Sequence, residues 1–99
     1  MVMTKFPTTE PGVVVVEDRA ALHMPRYKVL LHNDDHNTMD HVVMALMNVF
    51  RFGKEACERI MLETHNQGVA LCTVEPLEQA EYHRDQLQAY SLAATIEPE

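Results

Sequence analysis

Three stretches of the chain have the residue pattern of β-strands. Between Tyr27 and Asn33, apolar and polar residues alternate and β-forming residues predominate, which predicts the first strand. Alternation over residues 69–74 predicts the second strand, and the short apolar run of residues 92–96 predicts the third. A run of six polar residues, His32 to Asn37, begins at the end of the first strand, and several of them favour turns, so the strand is expected to end in a polar turn.

Two further stretches have helical periodicity. Apolar side chains form one stripe on a helix over residues 38–50, and another on a helix over residues 54–67 that Gly68 is expected to end. Asn37 and Thr38 are alternative N-caps of the first helix, and the sequence does not choose between them. Phe52-Gly53 is expected to end the first helix, since glycine suits the position just past a helix C-terminus.

A third helix is predicted to begin at Glu75-Pro76, because proline is favoured in the first turn of a helix. Its residues expected to face the core are Leu77, Ala80, Leu87 and Tyr90. Those expected to face solvent are Glu78, Glu81, His83, Arg84 and Asp85. We therefore predict an α+β fold of order β-α-α-β-α-β, in which helices pack on a three-stranded antiparallel sheet.

The length of 99 residues corresponds to one small domain. Proline and glycine punctuate residues 1–25, so this segment is predicted to be a flexible N-terminal extension and residues 26–99 the folded domain. The run Val13–Val16 within the extension is either a short edge strand or an apolar patch. Four valines are too short for a membrane span or for the apolar part of a signal peptide.

The chain is acidic, with a net charge of -7, and its eight Lys and Arg residues are scattered. Nucleic acid and anionic membranes are therefore not expected as partners, because both bind cationic patches. Cys57 and Cys72 form no CxxC motif, which favours two buried, reduced thiols in a cytoplasmic protein.

Candidate chemistry is concentrated in the polar turn, the start of the first helix and the end of the second. The residues are His32, Asn33, Asp34, Asp35, His36, Asp40, His41 and His65. One interpretation is an enzyme, since histidine and aspartate bind divalent metals and paired carboxylates act as general acid and base. The sequence has no HExxH motif and no glycine-rich phosphate loop, so catalysis is not favoured.

A second interpretation is purely structural. Asp34 and Asp35 would end the strand and stabilise the positive end of the first helix, by about 0.3–1 kcal/mol each. His65 would then be an ordinary histidine at the negative end of the second helix.

The third interpretation is a pocket for a cation that carries an apolar side chain. Asparagine oxygens, aspartates and neutral histidines all accept hydrogen bonds. Met39 and Val42 on the first helix are placed to face Met61 and Thr64 on the second. The result would be an apolar hollow with acceptors at its rim, and methionine suits such an adaptable lining.

The sequence resembles the ClpS adaptor family in these same segments. The resemblance lies in YKVLLHNDD at residues 27–35, Met39 and Val42, MLETHNQG at residues 61–68, and TIE at residues 95–97. It covers residues 26–97, nearly the whole predicted domain. The two longer segments at this spacing are far more specific together than either alone, and they favour the pocket over the structural interpretation.

The resemblance implies an adaptor of the bacterial N-degron pathway. Such proteins bind substrates whose first residue is Phe, Tyr, Trp or Leu, and hand them to the N-terminal domain of an AAA+ unfoldase, ClpA or ClpC, for degradation by ClpP. It also implies a small α/β domain that is not an enzyme and needs no cofactor or metal. A distant alternative is the interaction domain of the ribosomal stalk protein, but this chain lacks its lysine-rich helical surface.

Family roles carry over to matching positions. Binding of the substrate α-amino group is implied for Asn33, Asp34 and His65. The implied hydrophobic pocket comprises Leu31, Asn37, Met39, Val42, Met61, Thr64 and Ile96, with Met39 excluding β-branched residues. Contact with the unfoldase is implied for Glu78 and His83. The chain departs from the family where Asn37 replaces a common Thr, Thr38 a common Pro, Thr64 an apolar residue and His83 a common Lys.

Overall fold

The computed structural model describes residues 24–99 of the chain. Its elements are β1 (Arg26–His32), α1 (Met39–Phe50), α2 (Lys54–Gln67), β2 (Val69–Pro76), α3 (Leu77–Ala89) and β3 (Ala93–Pro98). The predicted α+β fold and its order are therefore confirmed. The extension predicted for residues 1–25, including Val13–Val16, lies almost entirely outside the described residues.

β1 is the central strand of the sheet, which has the order β2-β1-β3 with both pairings antiparallel. Leu31 lies between Ala70 of β2 and Ala94 of β3, and all three are buried. Val29 points to the same face, because alternate residues of a strand share a face, and it is also buried. The polar turn thus leaves the sheet from its centre, directly beside the core.

The helices complete the hydrophobic core on one face of the sheet. The buried apolar residues that they contribute are Ala45, Leu46 and Val49 from α1, Cys57 from α2, and Ala80 and Leu87 from α3. Beyond Cys57, the only residue that α2 buries is Thr64, so much of its surface is exposed. No helix within residues 24–99 combines the length and the apolar character that crossing a membrane requires.

The ends of α1 differ in part from the expectation. Thr38 is the N-cap, because its Oγ1 accepts a hydrogen bond from the backbone N–H of His41 at 3.1 Å, which leaves Asn37 available for other contacts. At the other end the helix stops at Phe50, and Arg51 adopts the left-handed conformation with φ 62°. The prediction that Gly53 ends α1 is wrong, since Gly53 is instead the N-cap of α2.

The outer face of α3 also differs from the expectation. Ala80 and Leu87 are buried as predicted, whereas Leu77 is 40% exposed. His83, expected in solvent, is half-buried, and its Nδ1 lies 2.9 Å from Glu75 Oε2. Because Glu75 is itself buried at the end of β2, its carboxylate requires a polar partner, and the histidine two turns into α3 supplies one.

Candidate functional site

Asp34 organises the polar turn that follows β1. Its Oδ1 accepts hydrogen bonds from the backbone N–H groups of His36 at 2.9 Å and Asn37 at 3.1 Å. This is the local bonding by which aspartate favours turns over regular structure. The turn therefore holds one face of the Asp34 carboxylate and fixes the direction in which the chain enters α1.

The end of α2 lies beside this turn because of Gly68. Gly68 has φ 89°, and its N–H donates to Thr64 O at 2.9 Å, which ends the helix and starts β2. Its carbonyl accepts from the N–H of Asn33 at 3.0 Å, which ties the turn to the helix end. His65, exposed in the last turn of α2, lines the same cavity as Asn33 and Asp34.

A cavity of about 230 Å³ opens between the turn, α1 and α2. Its lining contains every predicted amine-binding and pocket residue except Ile96, namely Leu31, Asn33, Asp34, Asn37, Met39, Val42, Met61, Thr64 and His65. His32, Asp35 and Leu92 complete it. The space is smaller than the ~300–1,000 Å³ of pockets for drug-sized ligands, and suits a single side chain.

Ile96, predicted for the pocket, is not among the residues that line this cavity. Ile96 pairs with Val29 in the sheet, two residues along β1 from Leu31, and packs against the core. Leu92, just before β3, lines the cavity instead and is 4% exposed. The sequence does place Leu92 at the start of the last apolar run, but nothing in the pattern shows which end of that run reaches the site.

The apolar part of the cavity is formed mainly by side chains of α1 and α2. Met39 is 48% exposed at its edge, while Val42 packs partly buried against the core. Thr64 is buried and its hydroxyl donates to Ile60 O at 2.8 Å, so this hydroxyl is already satisfied within the helix. Thr64 therefore adds no free donor to the pocket.

Asp34 is one of two carboxylates that line the cavity, together with Asp35. Partial burial alone would raise the pKa of the Asp34 carboxyl, but hydrogen bonds from the His36 backbone and from the side chain and backbone of Asn37 outweigh it. The nearby His36 acts in the same direction, and the net result is a pKa below the usual value. Asp34 is thus an ionised acceptor at neutral pH, suited to bind a cation.

The two residues matched to unfoldase contact lie outside the cavity, on α3. Glu78 is exposed in the first turn of that helix. His83 is less exposed to solvent, because its ring hydrogen-bonds to Glu75 and packs against Phe50 at a centroid distance of 4.7 Å. Glu78 is thus exposed to solvent, whereas His83 makes contacts within the chain.

Metal ligation was the alternative chemistry for the histidine and aspartate residues. Within residues 24–99 no three His, Cys, Asp or Glu side chains come together in a group that could hold a metal ion. The arrangement seen here is instead a set of hydrogen-bond acceptors beside an apolar hollow.

Comparison with known proteins identifies a related family. Residues 23–96 match the family described as ATP-dependent Clp protease adaptor protein ClpS. An adapter protein ClpS of Gloeobacter violaceus is 46% identical over 77 residues, covering 77% of this chain and 83% of that protein. One from a Synechococcus species is 41% identical over 98 residues, covering 94% of each.

A solved structure gives the same result at the level of the fold. Agrobacterium tumefaciens ClpS2, bound to L-phenylalaninamide, matches with a TM-score of 0.71 and 31% sequence identity. The match covers 76% of this chain and 98% of that one. Its ligand combines an α-amino group with an aromatic side chain.

Proposed function

This chain belongs to the ClpS family of ATP-dependent Clp protease adaptors, and we propose that it binds the free α-amino group and large apolar first residue of N-degron substrates. The observation that carries the proposal is the meeting of acceptors with an apolar hollow in one small cavity. The phenylalaninamide bound by the Agrobacterium relative has this combination of groups.

The acceptors suit a terminal amine. An α-amino group has a pKa of about 7.7–8.0, so it is mostly cationic at neutral pH and offers three N–H donors. Asn33, Asp34 and His65 provide an amide oxygen, an ionised carboxylate and an imidazole nitrogen as acceptors. His65 also lies in the last turn of α2, where the helix dipole favours a positive charge.

The apolar side of the cavity selects the first side chain. Leu31, Met61 and Leu92 supply apolar surface, and Met39 stands half-exposed at the edge. A long side chain that is unbranched at Cβ can pass Met39, whereas a β-branched one would carry an extra carbon against it. We infer a preference for Phe, Tyr, Trp or Leu over Val and Ile as the first residue.

Fluorescence anisotropy with four labelled peptides that differ only at the start tests the proposal: Phe, acetyl-Phe, Val and Ala. The affinity for the Phe peptide is expected to exceed that for each of the others by about tenfold or more. For acetyl-Phe the reason is that acetylation removes the charge and leaves acceptors unpaired. Equal binding of Phe and acetyl-Phe would exclude an amine site. Binding of none would leave a ClpS fold without this specificity.

We further propose that the chain, not itself an enzyme, delivers its substrates to the N-terminal domain of ClpA or ClpC for degradation by ClpP. Glu78 is an exposed carboxylate at the start of α3, outside the substrate cavity. Glu78→Ala should weaken binding to the unfoldase domain, measured by calorimetry. Glu81→Ala, which removes the same charge one turn later, is the control, and equal losses in both variants would argue against a specific contact.

A further inference from the structure

The side chain of Asn37 joins two parts of the cavity. Its Nδ2 lies 3.1 Å from each carboxylate oxygen of Asp34 and 2.9 Å from the backbone carbonyl oxygen of Ser91. An asparagine amide has two N–H donors, and a carboxylate and a carbonyl are acceptors only. The amide must therefore present its NH₂ group to both partners, one hydrogen toward each.

Ser91 belongs to the turn that positions Leu92. Ser91 adopts φ 68°. Two hydrogen bonds join the turn to the end of α3, from the N–H of Ser91 to Gln88 O at 2.9 Å and from the N–H of Leu92 to Leu87 O at 3.1 Å. Leu92 is buried and lines the cavity. The Asn37 bond to the Ser91 carbonyl thus reaches the backbone directly before a wall residue.

The two partners of Asn37 belong to different parts of the proposed site. Asp34 belongs to the acceptors for the amine, and Leu92 to the apolar surface for the side chain. A nearby hydrogen bond, from His41 Nε2 to Tyr90 O at 2.7 Å, also ties α1 to this turn but does not touch Asp34. Of these two hydrogen-bonding side chains, only Asn37 connects the Asp34 carboxylate with the backbone next to Leu92.

Resting on the proposed function, we propose that Asn37 is a positioning residue that sets the selectivity among large apolar first residues. Through its single amide, it fixes the Asp34 carboxylate relative to the Leu92 wall, and so fixes the depth available to a side chain whose amine is bound. A residue with a single hydroxyl donor, such as threonine, could not hold both partners at once.

The test replaces the amide by an apolar group of similar shape. Asn37→Leu removes both donors, and Asn37→Ser retains one. Asn48→Leu is the matched control, because it also replaces an asparagine by leucine, at a position within α1. It removes a contact with the Tyr90 hydroxyl but leaves the contacts of Asp34 and Ser91 unchanged. The measurements are dissociation constants for peptides beginning with Phe, Trp and Leu, and the methyl NMR signals of Leu92 in the ligand-free protein.

Asn37→Leu is expected to lower affinity for the Phe peptide by about tenfold, the scale of one hydrogen bond to a charged group. It should also change the ratio of Phe to Leu affinity by about threefold or more and shift the Leu92 methyl signals, because the pocket wall moves. Asn37→Ser should give smaller changes in the same direction. The control should match the wild-type protein in the affinity ratio and in the Leu92 signals.

A uniform loss of affinity for all three peptides, with unchanged Leu92 signals, would overturn the inference and leave Asn37 as a local stabiliser of the turn. Changes of ratio in the control equal to those in Asn37→Leu would overturn it also. If the wild-type protein does not distinguish Phe from acetyl-Phe, the proposed function fails. A Leu92 shift in the ligand-free variant would then mark a structural tie without a role in selectivity.

Discussion

Asp34 orders the polar turn and carries part of the negative charge of the cavity. Its carboxylate accepts hydrogen bonds from the backbone of His36 and from the backbone and side chain of Asn37. These bonds hold the carboxylate in place before any ligand arrives. A ligand amine would therefore meet an acceptor that is already ordered, which lowers the entropic cost of binding.

Asp34→Ala should weaken the binding of a peptide with an N-terminal Phe by about 1–3 kcal/mol, the scale for losing a hydrogen bond between charged groups. The measurement is a dissociation constant by anisotropy. Asp40→Ala is the control, because this exposed residue carries the same charge in the first turn of α1 but does not line the cavity. Equal losses in the two variants would indicate general electrostatics rather than a contact.

The lowered pKa of Asp34 also makes a prediction about stability and pH. Its stabilising bonds are fully present well above the unfolded value of about 3.9, and are lost as pH falls through the lower folded value. In urea unfolding, the wild-type protein should therefore exceed Asp34→Asn in stability by more at pH 6 than at pH 2. A difference that is constant with pH would show that ionisation of Asp34 contributes nothing to the fold.

At the scale of elements, the site depends on how β1 and α2 end. β1 ends in the polar turn, α2 ends at Gly68, and the hydrogen bond from Asn33 N–H to Gly68 O joins the two ends. The left-handed conformation at Gly68 lets the chain turn directly from α2 into β2, the neighbour of β1. The same residue thus ends a helix and aligns the two halves of the cavity.

Substitution of the two glycines that flank α2 tests this role. A Cβ at Gly68 or at Gly53 would meet nothing within 4 Å, but Gly68 has φ 89° and Gly53 has φ −67°. Gly68→Ala should destabilise the protein by about 1–2 kcal/mol in urea unfolding, the cost of a side chain in the left-handed region. Gly53→Ala should change stability much less, and similar losses in both would contradict the explanation from backbone conformation.

The elements were largely predictable from sequence because hydrophobic periodicity decides them. The ends of the elements and the contacts of individual side chains were less predictable. Arg51 rather than Gly53 takes the left-handed position after α1, and a cost of about 1–2 kcal/mol at such a residue is small enough for tertiary packing to override. His83 faces inward because of Glu75, a buried carboxylate whose need for a partner is not visible in a helical pattern.

The cavity was predictable to a similar degree, and mostly through family resemblance. Residues of the polar turn and of the adjoining helix ends are close in sequence to the motif, and the structure brings them together. Sequence alone does not show whether Leu92 or Ile96 reaches the cavity, because the answer depends on the register of β3 against β1. The bond from Asn37 to Ser91 likewise joins residues that only the folded chain makes neighbours.

At the scale of the whole molecule, the two thiols lie on the core side of the sheet, away from the cavity. Cys57 is fully buried in α2, and burial raises the pKa of its thiol. For Cys72, burial and the nearby Cys57, Glu63 and Glu75 raise the pKa to about 12. Cys57 is buried as predicted, whereas the Cys72 residue is half-buried, and both are free thiols in the described part of the chain.

Both thiols should therefore react slowly with a disulfide reagent at pH 8 in the folded protein, since only the thiolate reacts. Rapid reaction of both is expected in urea, where burial and the neighbouring charges are lost. The measurement is the rate of thiol labelling, and Cys72→Ser isolates the rate of Cys57. Fast labelling of Cys72 in the native protein would show that the β2 region opens readily.

The central position of β1 has a consequence for how the protein is made. β1 is the first of the described elements to leave the ribosome, yet one of its two edges pairs only with β3, the last of them. Leu92, which lines the cavity, also emerges late. A nascent chain thus carries Asn33, Asp34 and His65 before Leu92 has been synthesised, so the selective binding proposed above would await nearly full synthesis of the domain.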